Sequence, residues 1–516
     1  MKKWLRTLGI LFAFVLLAAN LSFAAGPKDE FHDYLVGFHD GASAKGLAIA
    51  GVNVVEEWSD LGAVHVKANA AGLQGLQHNP NVAYVEEDVV RYTMGTYTDG
   101  ALTWGLQAVH AQEAWNLGAK GQNIKVCILD TGIDSTQPEF KRPDGTSAIK
   151  ATANFTTAPS VNDVVGHGTH VAGTIAGQTN ASGSYIGVAP NVDLYIAKVL
   201  GDDGSGKSTW IINGMKWCTS TARANIASLS LGSSAGSLTE QRQFDSSYKS
   251  GLLILAAAGN AGDATLSYPA GYSSVVSIAA VDSNLAHASF SQYNSDVELA
   301  APGVSVLSSV PVGAGSKSSA TESGVSYTTN ALEYAPKGNV NGPLVECGLA
   351  DSTTSCTGKP ASGAWIAMIN RGTIAFSDKI NNVIAQGASA AIIANNDTAA
   401  PDDAGSFTLG AAGNWIPTVS VSYNSGVAIR NGGLGSGNVT IEAWNYEYMN
   451  GTSMATPHAS AVAALAWSAN PALTNAQMRT VLQNSALDLG TAGRDTYFGY
   501  GLVQADAAVN LAKNTH

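Results

Sequence analysis

Three short runs constrain this chain more than any other feature. Leu194-Tyr-Ile-Ala-Lys-Val-Leu200, Ile226-Ala-Ser-Leu-Ser-Leu231 and Leu252-Leu-Ile-Leu-Ala-Ala257 are each almost continuously apolar or small, and each is bounded by glycine or polar residues. A strand wetted on one face would alternate polar and apolar residues; these do not, so both faces must be covered. Helix-like patterns fall between the runs, which predicts an α/β fold, a parallel sheet with helices on both faces. Ile124-Lys-Val-Cys-Ile-Leu129 reads as a further buried strand that runs into Asp130. In open sheets of this kind, functional groups gather at the carboxyl ends of strands, so Asp130 stands where chemistry is expected.

Gly451-Thr-Ser-Met-Ala-Thr-Pro-His458 leads straight into an apolar, small-residue run to Trp467 with strong helix propensity. Ser453 is thereby placed at a helix start. First-turn N–H groups lack intrahelical partners there and the macrodipole is positive, so charge on an attacked carbonyl oxygen would be stabilised. Taken alone, a serine at this position fits helix capping equally well. A serine nucleophile needs a base and a group that orients the base. Asp130 supplies a carboxylate, and Val165-Gly-His-Gly-Thr-His170 sets His167 among glycines at the mouth of another helix. His167 and His170 do not read as a zinc pair, because HExxH needs histidines four apart with a glutamate between them. His170 and His458 read as packed, structural histidines.

The stretches VCILDTGID, GHGTHVAGT, AAAGNAG and NGTSMATPH, spread over residues 124 to 467, resemble the four signature segments of the subtilisin-like serine proteases and occur in that family's order. The resemblance implies a subtilisin-like parallel sheet in which Ser453 is the nucleophile, His167 its base and Asp130 the orienting carboxylate. Asn260 would share the oxyanion with the backbone N–H of Ser453. Gly204-Ser205-Gly206 and Ser230-Leu231-Gly232 would form two edges that hold an extended peptide by strand addition. Ala257, Ala258 and Gly259 would wall a roomy primary pocket without a selecting charge, its floor made more polar by Ser267. The family also implies a structural calcium on the loop Gln178 to Ser184, with Asn180 and Glu139 as ligands. No organic cofactor is called for.

The rest of the chain divides around this core. Residues 1–24 carry Lys2, Lys3 and Arg6 before an apolar run and small residues, the form of a secretory signal peptide. No second span of that length follows, so no stable membrane span is expected; the product is expected to be secreted, extracellular and monomeric. Residues 25–94 alternate strand-like and helix-like segments, as in a small α+β ferredoxin-like unit, and end similarly to the inhibitory prosegments of subtilisin-like proteases. Cleavage is expected between Arg91 and Gly95, first at Met94. Residues 95–312 and 436–516 form the two parts of the catalytic domain. Residues 313–435 resemble an inserted, β-rich protease-associated domain, with 313–330 linker-like. Export permits disulfides. Cys347 and Cys356 flank a polar loop and are expected to pair, whereas Cys127 and Cys218 fit either a bridge or two buried thiols.

Expected partners are protein and peptide substrates and the chain's own prosegment. A formal net charge of −12 with no basic stripe excludes a nucleic-acid partner. The competing class is a binding protein on the same scaffold with a silent triad, its inserted domain the working surface.

Overall fold

The computed structural model describes residues 31–39, 47, 49–58, 63–87, 103–178, 186–398, 401–405 and 407–516. The signal peptide, the expected cut near Met94 and Asn180 lie outside these residues. Two compact units are present, one within residues 1–96 and one within 97–516.

The first unit is a four-stranded antiparallel sheet built from β1 (His32–Phe38), β2 (Val52–Trp58), β3 (Ala63–Ala68) and β4 (Val82–Glu87), in the order β2-β3-β1-β4. One helix, α1 (Ala70–Gln77), is capped by Asn69, whose side chain accepts the Gly72 amide at 2.9 Å. Val36, Val64 and Val66 of the sheet and Leu76 of the helix are wholly buried in their shared core. These strands and this helix give the alternation of strand-like and helix-like segments expected of residues 25–94.

The second unit holds the sheet that the apolar runs predict. After α2 (Trp104–Ala108) and α3 (Ala111–Asn116) come β5 (Lys125–Asp130), β6 (Ile149–Asn154), α4 (His167–Ala176), β7 (Asp193–Lys198), α5 (Ser208–Ser220), β8 (Ile226–Leu229), α6 (Leu238–Lys249), β9 (Leu253–Ala257), β10 (Val276–Val281) and β11 (Val297–Pro302). The seven strands are all parallel, in the order β11-β10-β9-β8-β5-β7-β6. The chain builds outward from β5 to β6 and β7, then crosses back to β8 on the other side. Asp130 therefore ends the strand at which the winding direction reverses, where such sheets open a crevice.

Two cores explain the unbroken apolar runs. Val126, Ile128, Leu194, Ile196, Leu253 and Leu255 enter the core shared with α4. Cys127, Leu129, Ala197, Val199, Ile254 and Ala256 enter the core shared with α5 and α6. Successive side chains point to opposite faces, and each face meets helices. Cys127 and Cys218 are disulfide-bonded, tying β5 to α5.

After β11 the chain leaves the core through β12 (Val306–Ser309) and returns through β21 (Tyr446–Met449), and these two strands pair antiparallel as a neck. Between them lie β13 (Gly315–Glu322), β14 (Val325–Tyr327), β15 (Thr329–Ala331), β16 (Gly338–Glu346), β17 (Ile366–Asn370), α7 (Phe376–Ile384), β18 (Ala390–Ala394), β19 (Thr418–Val421), α8 (Tyr423–Asn431) and β20 (Ser436–Trp444). Their strands form one mixed sheet, β14-β13-β20-β16-β17-β18-β19-β15. Two expectations are corrected here. The stretch expected to be a linker is strand-forming, since Gly315 to Glu322 pairs along its whole length with β20. The residues assigned to the catalytic domain from 436 include β20, which pairs with β13 and β16 and belongs to the inserted sheet. Cys347 and Cys356 are disulfide-bonded within the insert. The core resumes with α9 (Thr452–Ala469), α10 (Asn475–Ser485) and α11 (Ala505–Asn514). Among the described residues no helix is long and apolar enough to cross a membrane.

The two bridges span sequence separations of 91 and 9 residues, and the longer closed loop removes more entropy from the unfolded chain. Cys218→Ala is expected to cost about 2–4 kcal/mol and to lower Tm more than Cys356→Ala. Thermal unfolding of the two variants under non-reducing conditions checks the order.

Candidate active site

Asp130 ends β5 wholly buried; its Oδ1 accepts the Thr131 amide at 2.7 Å and the Nδ1–H of His167 at 2.7 Å. That bond fixes the ring's tautomer, leaving Nε2 as the free base. His167 is the first residue of α4, after Gly166 at φ +94°, and its side chain keeps 24% of its surface exposed. Burial opposes the imidazolium, but the charge of Asp130 and its hydrogen bond, helped by Asp163, outweigh it and raise the ring above its ordinary 6.5.

Asp163 is a site residue that the sequence reading missed. Its buried carboxylate accepts the amides of Gly166 and Thr169, each at 2.8 Å, and the hydroxyls of Thr131 and Thr169 at 2.8 and 2.7 Å. It thus clamps the first turn of α4 to the end of β5. The available signal was an aspartate just ahead of a helix start, the usual place for a capping carboxylate.

Ser453 lies in the first turn of α9, behind Gly451. Pro457 sits inside this helix and has no N–H, so the Ser453 carbonyl loses its intrahelical donor. The Ser230 hydroxyl replaces it at 2.6 Å, and the Ser453 hydroxyl donates to the Ser230 carbonyl at 3.2 Å. The end of β8 and the start of α9 therefore hold each other by a reciprocal pair. In this state the Ser453 hydroxyl faces Ser230 and not the imidazole.

Asn260 has its Oδ1 engaged by the Thr452 amide at 2.9 Å and the Thr452 hydroxyl at 2.8 Å. Because Oδ1 must face those donors, Nδ2 turns the other way. A Cβ placed on Gly451 would lie 3.3 Å from Nδ2 and 3.5 Å from the Ser453 amide nitrogen. Two N–H donors thus flank one small space, kept open by a glycine at φ +152°. That arrangement is what an oxyanion requires.

Two cavities adjoin these groups. One, of about 310 Å³, is lined by Ser453, Asn260, Ala257, Gly259, Leu231 and Ser267, among others, and has no charged side chain in its wall. Ala258 is not among its lining residues: strand alternation turns it the other way, where it packs with Ala279, Val281 and Leu502. The other cavity, of about 660 Å³, touches His167 and lies between Gly204-Ser205-Gly206 and Ser230-Leu231-Gly232, so both expected edges border it. His170 and His458 are fully buried, and burial depresses them to about 3 and about 4, so both stay neutral. The buried carboxyl of Glu139 accepts the Tyr446 hydroxyl, while its carbonyl takes the Gln178 amide at 2.7 Å. A carboxylate beside that loop fits a hard cation by its donor chemistry. Among the described residues no group of three or more His, Cys, Asp or Glu is arranged to hold a metal.

A sequence profile described as the subtilase family matches residues 121–335 and 366–501. The alkaline protease of Alkalihalobacillus alcalophilus is 35% identical over 313 residues, 58% of this chain and 79% of that protein. Subtilisin E of Bacillus subtilis strain 168 is 34% identical over 325 residues, 60% of this chain and 82% of that one. The crystal structure of the psychrophilic subtilisin-like protease Apa1 from the Antarctic psychrotroph Pseudoalteromonas sp. AS-11 superposes with a TM-score of 0.62 at 35% identity, covering 80% of this chain and 98% of that one. The fold and these matches define a serine endopeptidase. The chain belongs to the subtilase family.

Gly451→Ala would strain the backbone and push a methyl toward both donors. It is expected to lower kcat by about 10²–10³-fold, the cost of losing one preorganised oxyanion donor, a value taken from a subtilisin itself. Steady-state kinetics on one peptide, with KM little changed, would check it.

Proposed function

We propose that this chain is a secreted endopeptidase made as a self-inhibited precursor, in which Asp130, His167 and Ser453 act as one triad. The observation that carries the reading is the Asp130–His167 contact at 2.7 Å, set beside two converging N–H donors. The Ser453 hydroxyl turns from Ser230 toward Nε2 of His167 when substrate arrives, since catalytic hydrogen bonds commonly tighten only in the substrate complex. Its oxygen attacks the scissile carbonyl carbon while His167 takes the proton. The carbonyl oxygen becomes an oxyanion held by Asn260 Nδ2 and the Ser453 amide. The tetrahedral centre then expels the amine, which receives the proton from His167, and an acyl-enzyme remains. Water, deprotonated by His167, attacks that ester, and Ser453 leaves reprotonated. Asp130 stays ionised throughout, orienting and stabilising the imidazolium.

The same proposal extends to the ends of the chain. Residues 1–24 export it, and residues 25–94 inhibit it until the enzyme cuts near Met94. The mature protein then acts outside the cell as a monomer. Residues from about 313 onward form a protease-associated insert. A structural calcium is assigned to the loop Gln178 to Ser184, with Glu139 and Asn180 as side-chain ligands. Its role is stability: removing it with EDTA should lower Tm by the equivalent of about 2–3 kcal/mol when calcium had stood near 100 times its Kd.

Two further measurements test the mechanism. Intact mass and amino-terminal sequencing of the purified precursor should show loss of about residues 25–94 in the parent and retention in Ser453→Ala. Retention by both, together with no cleavage of added peptides, would sink the triad. The second is a pH profile. His167 must be neutral to act as base, and its raised pKa means that protonation already silences it above 6.5. The acid limb of kcat/KM should therefore fall above pH 6.5, with activity rising as pH rises through it. Asp130→Asn should move that limb down and cut kcat by about 10⁴-fold.

A further inference from the structure

Ser237-Leu-Thr-Glu240 opens α6 with the form of a capping box, in which a serine caps the third amide and the glutamate reaches back to the serine's own N–H. Only half of the box is made. The Ser237 hydroxyl accepts the Glu240 amide at 3.4 Å. The Ser237 amide instead donates to the hydroxyl oxygen of Tyr272 at 2.9 Å, and that hydroxyl donates to Oε2 of Glu240 at 2.9 Å. Tyr272 has taken over the capping position, so the glutamate is released from it.

Glu240 lines the 660 Å³ cavity, and it is the only Asp or Glu among the lining residues. Glu240 is 4% exposed. Among the described residues no Lys, Arg or His pairs with it and no hydrogen bond reaches Oε1. A buried carboxylate without a counter-charge is costly, and the loss of hydration pushes this one up, offset only in part by Tyr272. Tyr268 stands in the same wall. Leu200, Ile211 and Leu231 supply apolar surface along which the methylene stem of a long side chain can lie.

We infer that Glu240 is a specificity-determining residue, which receives the cationic end of a lysine or arginine side chain from a substrate residue on the acyl side of the scissile bond. The inference rests on the triad reading and on the two peptide edges, since a peptide laid between residues 204–206 and 230–232 passes over this cavity. The first cavity carries no charge, so the selecting charge lies one subsite or more away from the cut. A cation entering here satisfies Oε1 and restores the charge balance that folding left open.

The test uses the mature enzyme and a positional series of fluorogenic peptides, each of the four residues before the scissile bond being set in turn to Leu, Lys or Arg. At one position Lys or Arg should exceed Leu in kcat/KM by about tenfold. In Glu240→Gln, whose amide oxygen can still accept the Tyr272 hydroxyl, that ratio should collapse to within about twofold, and in Glu240→Lys it should invert. Equal rates for cationic and neutral peptides at all four positions in the parent would overturn the inference, whatever the variants do. So would a preference that Glu240→Gln retains. If the parent cleaves no peptide of the series, neutral ones included, the triad reading itself fails and this inference with it.

Discussion

Everything at the site depends on β5 being buried on both faces. Its side chains alternate between two helix-covered cores, Val126 and Ile128 on one side and Cys127 and Leu129 on the other. Such a strand has no freedom to slip by one residue, because a slip would exchange both faces at once. The disulfide to α5 adds a covalent tie at Cys127. Asp130 is therefore delivered to one point in space, where its carboxylate holds the His167 imidazole in one orientation. The helix bearing His167 is then referred to the same strand twice, directly by Asp130 and through Asp163 and Thr131.

The other half of the site is registered against β8 by a different device. A proline at the second turn of α9 removes one backbone bond, and the orphaned carbonyl belongs to Ser453 itself. Ser230 fills the gap. The same residue thus lines the larger cavity, donates to the Ser453 carbonyl and accepts a hydrogen bond from the Ser453 hydroxyl. Thr452, one residue earlier, sets the Asn260 amide so that its N–H group has one direction to face. Neighbouring residues in the sequence thereby position groups of two different chemical kinds.

Much of this was legible before any coordinates. The apolar runs required a sheet covered twice, and the four motif segments led to Asp130, His167, Asn260 and Ser453, which the fold brings to one end of that sheet. What escaped has several physical causes. Strands β13 and β20 are rich in Ser, Thr, Gly and Asn, and their strand character comes from pairing with each other, which local composition does not report. Ala258 was read with its neighbours although strand alternation turns it away from the pocket. Cys127 and Cys218 left their pairing open, because bridging depends on a distance between β5 and α5 that sequence does not contain. Glu240 is the most instructive case. The spacing Ser237-x-x-Glu240 specifies a cap, and only Tyr272, 32 residues further on, determines that the cap is left half made.

The neck formed by β12 and β21 has a consequence for how such a chain could be assembled. Val310 and Asn445 stand side by side, joined by a 2.9 Å backbone bond, although the whole inserted sheet separates them in sequence. To the catalytic core the excursion is therefore a hairpin loop, whatever its length. Loop-closure entropy grows only with the logarithm of length, so a core that tolerates a short turn here tolerates a folded module nearly as well. The graft point is not remote from the chemistry: Ser308 of β12 donates to the His170 carbonyl at 2.7 Å, on the helix that begins with His167. A second body can thus be carried at one position without redrawing the core, its attachment lying one helix turn from His167.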